Sequence, residues 1–353
     1  MAKNEMDSDH QLRQIAAIDI GTNSTHLLIA SLDVDLHSFS INYAEKSTTR
    51  LGERDLTSGD LTEIAMGRTL ETLKRFKDMA TSHHVEEVVT VATSAVREAP
   101  NGTEFLQRIK DQLSLEVELI SGPEEGRLIY LGVLSGMPFG DSPHLLLDIG
   151  GGSTELVLAD GRDAIALTST KVGAVRLQRD FVREEPIPPA RCDFIKAFVQ
   201  GSMESAVLKV QTRITQEEKP VLIATSGTAM AIGSLIAAED NRPPLKLHGY
   251  RVSKSRLNSV FDQLVKMSPS ERRAIQGMND RRADIIVPGA LILQTVMQML
   301  KIDELVLSER ALREGLIVDW MLRHGLLEDR FSFQSSIRKR TVIHQIKRFG
   351  VDL

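Results

Sequence analysis

The chain has 353 residues, 42% of them apolar and 4% aromatic, with a formal net charge of -5; this length exceeds one comfortable core and predicts two lobes with aliphatic interiors. A single cysteine, Cys192, excludes an internal disulfide and a thiolate metal cluster, and the polar opening from Met1 to Gln14, with no apolar run approaching a membrane span, reads as a soluble cytoplasmic protein without a leader or membrane contact. The slight negative charge argues against nucleic-acid binding and requires local positive charge wherever a polyanion is bound.

Ile15 to Ala30 reads as strand, turn, strand, with Asp19 and Ile20 leading into Gly21, Thr22, Asn23 and Ser24 before a second apolar run. Phe39 to Glu45 is a third strand. Asp60 with Glu63 forms a capping box for a helix whose Leu61, Ile64, Leu70, Leu73 and Phe76 share one face. Val88 to Ala92 is a short buried strand that delivers Thr93, Ser94, Ala95 and Arg97 to a loop at its C-terminal end, the edge where α/β sheets hold ligands. Arg97 there is either a bidentate phosphate clamp or an ordinary surface arginine.

Asn101 and Glu104 mark the next helix cap, and Val117 to Ile120 the next strand. Ser121, Gly122, Pro123, Glu124, Glu125, Gly126 and Arg127 then open an apolar helix. Two acids in a first turn suit the helix dipole, yet the turn leaves a strand end, so one of them can serve the cleft as a general base. His83 and His84 are adjacent and lack metal-ligand spacing on a helix, so they read as loop histidines.

Leu145 to Ala159 repeats the opening plan: an apolar run, Asp148, Ile149, then Gly150, Gly151, Gly152, Ser153, Thr154 and Glu155 before another apolar run. Three adjacent glycines remove every Cβ from the turn, letting N–H groups close around an anion and making φ > 0 available. Asp148 and Glu155 would repel phosphate unless a divalent cation lay between, so the stretch points to phosphate plus metal. A plain glycine-rich hairpin has the same local sequence. The echo of the Asp19 turn about 130 residues earlier weighs against that and suggests duplicated lobes facing one ligand.

Beyond this turn, Ala164 to Leu167 is a strand, and Phe194 to Val210 is helical, with Phe198, Val199, Met203 and Val207 apolar. Val221 to Ala224 feeds a third small-residue loop, Thr225, Ser226, Gly227 and Thr228, suited to phosphate or ribose. Arg272, Arg273, Arg281 and Arg282 with Asp284 form either a solvated face or a polyanion track. A long apolar helix from Pro288, a last strand at Glu304 to Leu307 and a closing helix to about His324 follow. Arg338 to Arg348 reads as a basic amphipathic helix. With no Ser-His-Asp or Cys-His order, an activated water is favoured over a covalent nucleophile.

Taken in order, Asp19-Ile-Gly-Thr-Asn-Ser24, Thr93-Ser-Ala-Val-Arg97, Ser121-Gly-Pro-Glu-Glu-Gly-Arg127, Asp148-Ile-Gly-Gly-Gly-Ser-Thr-Glu155, Ser226-Gly-Thr228, Arg282-Ala-Asp284 and Ala311-Leu-Arg-Glu-Gly315 resemble the exopolyphosphatase and guanosine pentaphosphate phosphohydrolase (Ppx/GppA) family. That family belongs to the acetate kinase, sugar kinase, Hsp70 and actin superfamily, and the match runs from about Ile15 to Leu316. The resemblance implies an α/β fold of two RNase H-like lobes around a central cleft, and hydrolysis of a terminal phosphoanhydride with Mg2+. We expect lobes at 1–140 and 141–325, the final helix able to pack back on the first, and a tail at 326–353.

The resemblance places the catalytic glutamate on Glu125, and the metal and water-organising acids on Asp148 and Glu155. We expect Gly21 to Ser24, Gly150 to Thr154, Ser226, Gly227, Thr228 and Arg97 to hold phosphate, and Asp148, with Asp19 or Glu155, to hold magnesium. Gly126 stands where many members have alanine. Longer members begin an all-α extension near Leu353, and Ile337 to Gly350 looks like its first helix, which leaves a homodimer and the chain-length preference open. Three readings compete: exopolyphosphatase, pppGpp 5′-phosphohydrolase, and a non-catalytic alarmone-binding regulator. An ATP-dependent kinase is disfavoured by the lone glycine of Thr225 to Thr228.

Overall fold

The structure, a computed structural model, describes residues 12–327 except 140–141, 216–217, 241–243 and 279, and leaves the side chains of Asp280 and Arg281 undescribed. The helices expected within Arg338 to Arg348 and Ile337 to Gly350 lie outside the described residues. The first lobe runs β1 Leu12–Ile20, β2 Thr25–Asp33, β3 Ser38–Ser47, α1 Glu63–Ser82, β4 Glu87–Ala92, α2 Ser94–Arg97, α3 Gly102–Leu113 and β5 Glu118–Leu119. Helix α4, Gly122–Leu134, leads to β6 His144–Ile149, β7 Thr154–Ala159, β8 Ala164–Thr170, α5 Ala174–Phe181, α6 Pro189–Gln211, β9 Val221–Thr225 and α7 Ser226–Ala238. The chain continues through β10 Arg251–Ser253, α8 Lys254–Leu264, α9 Pro269–Arg273, α10 Asp280–Ala283, α11 Ile286–Leu300 and β11 Glu304–Leu307 to α12 Leu312–Arg323.

The first sheet has the order β3-β2-β1-β4-β5 and the second β10-β11-β9-β6-β7-β8. Read from β8, the second repeats the first, with β11 in the place of β5 and β10 added antiparallel at the edge. This is the duplicated RNase H-like order of a two-lobe actin-like fold. The inner strands of each sheet are apolar on both faces, as strands covered on two sides must be, whereas the edge strand β3 is polar and largely exposed. Outer faces pack under α1 and α3 in one lobe and under α5 to α8 and α11 in the other; between the sheets lies a shared layer built on α4 and α12.

That middle layer depends on two glycines. A Cβ on Gly132 would lie 1.8 Å from the Ala311 carbonyl oxygen, and one on Gly315 would lie 1.8 Å from that of Leu128. The two helices therefore touch backbone to backbone, and α12 also packs on β1. Helix α4 rests on β7 and β8 as well, where a Cβ at Gly126 would come within 3.2 Å of Val157 Cγ2. Gly126 thus marks a close approach between α4 and the second sheet.

Several local expectations change. Helix α1 is capped by Thr62, whose Oγ1 accepts from the Ala65 N–H at 3.2 Å, not by Asp60. Asp60 closes a turn with Asp55, and Leu61 bridges Arg54 in extended form, so the helix cannot start earlier. Ile64 is consequently exposed. The Asn101 side chain bonds both backbone groups of Leu61 (2.9 and 3.1 Å) instead of capping α3. The edge strand β10 and helices α5 and α8 went unforeseen, being short and mostly polar. Among the described residues no helix is long and apolar enough to cross a membrane.

Candidate functional site

Strand periodicity builds the site. Ile15 and Ala17 of β1, Leu28 and Ala30 of β2, Leu146 of β6 and Val157 of β7 face the middle layer. With a period of two, Asp19, His26, Asp148 and Glu155 face it too. Asp19 pairs with His26, and His26 with Lys46, across one sheet; Asp148 pairs with Glu155, and Glu155 with Ser169, across the other. The duplicated row is thus mixed, Asp-His-Lys in one lobe and Asp-Glu-Ser in the other. Helix α4 enters between them, with Ser121 Oγ accepting from the Glu124 N–H at 3.3 Å, and its first turn points Glu125 into the gap. A cavity of about 310 Å3 results.

The two Asp-x-Gly turns have the same form: the Gly21 N–H donates to Ser24 O at 3.1 Å and the Gly150 N–H to Ser153 O at 2.9 Å. Those two N–H groups are therefore used within the turns, which narrows the expected cradle to the residues that follow them. The glycines are also not there for left-handed backbone, since none of Gly21, Gly150, Gly151 or Gly152 has positive φ. They permit close approach: a Cβ on Gly151 would meet Thr22 Cβ at 2.9 Å, and one on Gly152 would meet Ser94 Oγ at 2.4 Å. The left-handed residue is Ser226, with φ 87°, an uncommon conformation for a side chain-bearing residue that turns β9 sharply into α7.

Asp19, Gly21, Thr22, Asn23, Ser24, Glu125, Asp148, Gly150, Gly151, Ser153, Ser226 and Gly227 all line the cavity. Others expected there stand back from it. Gly152 packs on Ser94 and Thr22; Thr154 is buried and donates to Val172 O at 2.6 Å. Thr228 is buried beneath Arg282, which reaches its Oγ1 at 3.4 Å. Glu155 is 1% exposed, behind the lining, and accepts from Ser169 Oγ at 2.8 Å. Arg97, expected as a phosphate clamp, is tied instead to the Ile120 carbonyl at 2.7 Å and to Glu125 Oε2 at 3.3 Å.

Of the two alternatives for the arginine cluster, solvated face or polyanion track, no track is formed among the described residues. Arg272 is fully buried, donates to the carbonyls of Leu264, Met267 and Ala283, and pairs with Glu185. Arg273 pairs with Asp284 at 2.5 Å, and the Arg281 side chain is not described. Among the described side chains of this cluster only Arg282 reaches the cleft, its guanidinium lying where a Cβ on Gly227 would be 2.0 Å away. Sequence reasoning missed His26, Lys46 and Arg313, which also line the cavity. His26 and Lys46 were legible as strand neighbours of Asp19 once β1, β2 and β3 were placed in register.

The acids crowd one another. Burial raises Asp19 from 3.8 to about 7, with Arg313 opposing and Glu314 adding. Burial likewise raises Glu155 to about 7, opposed by Ser169, Ser153 and Arg97. Asp148 is pushed well above the usual carboxylate range by burial, then by Glu155 and Asp19. Glu125 rises through burial and Glu155, and Arg97 pulls it back. On the other wall, burial and then the cations Arg313, Lys46 and Arg282 hold His26 neutral, and burial lowers Arg282 to about 10. Acids with raised proton affinity beside a basic wall suit proton transfer next to a bound anion.

A family model described as the Ppx/GppA phosphatase family matches residues 17–324. Exopolyphosphatase 2 of Mycobacterium tuberculosis is 29% identical over 316 residues, 86% of this chain and 98% of its own length. A guanosine-5'-triphosphate,3'-diphosphate pyrophosphatase of Photobacterium profundum is 30% identical over 341 residues, 96% of this chain and 63% of its own. Among solved structures, an exopolyphosphatase from Cytophaga hutchinsonii superposes with a TM-score of 0.81 at 30% identity, covering 89% of this chain and 98% of that one. The Aquifex aeolicus Ppx/GppA family member gives 0.73 at 29% identity, covering 89% and 99%.

Proposed function

The chain belongs to the Ppx/GppA phosphatase family, and from that premise we propose that it is an exopolyphosphatase, releasing terminal phosphate from inorganic polyphosphate through a water activated by Glu125. The observation that carries this reading is the convergence of Glu125 with Asp19, Asp148 and Glu155 between two matched phosphate turns. Glu125 is 8% exposed and held by Arg97, so its carboxylate is aimed as well as raised in pKa toward the working range of a general base. The N–H groups of Thr22 to Ser24 and of Gly151 and Ser153 take phosphate oxygens, and Arg282 and Arg313 add charge-assisted donors. Thr228 acts through Arg282, and Arg97 through Glu125.

The donor set fits a divalent cation. Asp19 Oδ1 is buried without a hydrogen-bond partner, and the carboxyls of Asp19, Asp148 and Glu125 line the cleft with Glu155 buried behind them. Among the described residues no three His, Cys, Asp or Glu form a ready cage; this suits magnesium, which takes one or two carboxylates and completes its shell with water and phosphate. Asp148 with Asp19 would hold it, Glu155 lying behind them. When bound, the ion offsets the negative charge of the phosphates and of the departing chain.

A second reading, removal of the terminal phosphate from the 5′-triphosphate of pppGpp, is favoured by the pyrophosphatase match across 96% of this chain. Phosphate release should be measured from polyphosphate and pppGpp side by side, with magnesium and with chelator, for wild type and Glu125→Gln. The variant should bind substrate as wild type does and turn over roughly 10²–10⁴ times more slowly. A wild-type rate in the variant would remove Glu125 as the base, and release from pppGpp alone would replace the first reading by the second.

A further inference from the structure

A second pocket lies behind the phosphate turns. Thr22 Oγ1 and Ser94 Oγ, 2.9 Å apart, close the wall between it and the cleft, and both residues line both spaces. Gly152 completes the wall, packed too tightly on Ser94 and Thr22 to carry a side chain. On the far side stand Arg54, Arg176 and Arg179. Arg54 donates to the carbonyls of Ala95 and Gly59, and Arg176 to that of Gly152, so guanidinium groups are fastened to the backbone of both wall segments.

This pocket is electropositive. Arg176 pairs with Glu98 and Arg179 with its neighbour Asp180, whereas Arg54, among the described residues, has carbonyl partners and no carboxylate. Burial, and then the nearness of Arg179 and Arg176, weaken its hold on its proton, with Glu98 and Asp60 opposing. A half-buried guanidinium beside two others gains from an anion. The cavity, about 20 Å3, admits a water but not a phosphate while the wall is shut.

The hydrolase reading supplies the anion. When a long polyanion fills the open cleft, the orthophosphate cut from its end is left at the inner wall, and leaving by the front would require the chain to dissociate first. We propose that orthophosphate leaves through the Thr22, Ser94 and Gly152 wall into the arginine pocket, the Thr22 to Ser94 hydrogen bond acting as the gate. Opening it breaks one hydrogen bond between neutral hydroxyls and parts the Gly152 contacts with Thr22 and Ser94, and the arginines draw the anion outward.

The inference rests on the hydrolase reading, and its test separates the two. Phosphate formed (acid quench) and phosphate free (a fluorescent phosphate sensor) should be followed on one time axis, with the full chain, magnesium and long polyphosphate. Arg54→Gln and Arg179→Gln are the variants; the Arg179 side chain is 33% exposed, so its loss should leave folding intact. In both, quenched phosphate should appear at the wild-type rate in the first turnover while free phosphate lags, and kcat should fall roughly three- to tenfold with kcat/KM unchanged, as for slowed product release. Coincident traces in both variants, or a slowed quench phase with no lag, would overturn the exit alone. No quenched phosphate from wild type would overturn the hydrolase reading and the exit with it.

Discussion

Asp19→Asn should stabilise the metal-free protein while disabling it. Asp19 ends β1 deep in the cleft with Oδ1 buried and unpartnered, and burial raises its pKa from 3.8 to about 7. A rise of about three units, at roughly 1.4 kcal/mol each, amounts to about 4 kcal/mol. The carboxyl is partly open to the cleft, so screening brings the expected gain to on the order of 2–3 kcal/mol. The folded state binds this proton more tightly than the unfolded chain, so the stability it confers is complete below about pH 4 and is lost as pH rises through about 7. Asparagine has nothing to lose over that range. The variant should therefore gain on wild type from pH 4 upward and level off above 7. Urea unfolding with chelator at pH 5 and pH 8 measures this, alongside phosphate release with magnesium at pH 8. Equal stability at pH 8, or a variant less stable than wild type, would refute the account of a charge held at a cost for function.

Arg97→Met should move the acidic limb of kcat/KM on polyphosphate to higher pH, because Arg97 is the cation that draws Glu125 down; an unmoved limb in a folded variant would show that Arg97 does not set the base. Gly315→Ala places a methyl group 1.8 Å from the Leu128 carbonyl oxygen, so denaturant unfolding should show a loss of about 3 kcal/mol or insoluble protein, and wild-type stability would mean α4 and α12 do not meet there. Arg272→Ala leaves Glu185 without its buried partner and should cost roughly 3–5 kcal/mol, with the relative KM for long and short polyphosphate unchanged in the surviving fold. A selective loss of long-chain affinity would restore the arginine track.

Much of the fold was legible because it is written at short range. Alternating apolar runs around Asp19 and Asp148 place both strand pairs, and that same alternation sends both acids to one face, since a strand's side chains repeat every two residues. The position of Glu125 in the first turn of α4 follows from a few neighbouring residues. The glycines announced tight turns, but the reason for them differs: Gly151 and Gly152 make room for Thr22 and Ser94 of the other lobe, and that crowding exists only once the lobes meet.

The partners of the long charged side chains were decided by tertiary structure alone. Nothing near Arg97 in sequence announces Glu125, 28 positions away, and nothing near Arg272 announces Glu185. Lys46 and His26 join the site because β3 pairs with β2 and β2 with β1, a matter of register, not of composition. Arg313 and Gly315 reach the cleft and the middle layer because the last helix returns to the first lobe. Periodicity and capping are set by a few adjacent residues and their backbone, so the sequence specifies them directly. A guanidinium reaches across to whatever carboxylate or carbonyl the packed chain brings within bonding distance, and that depends on every element between them.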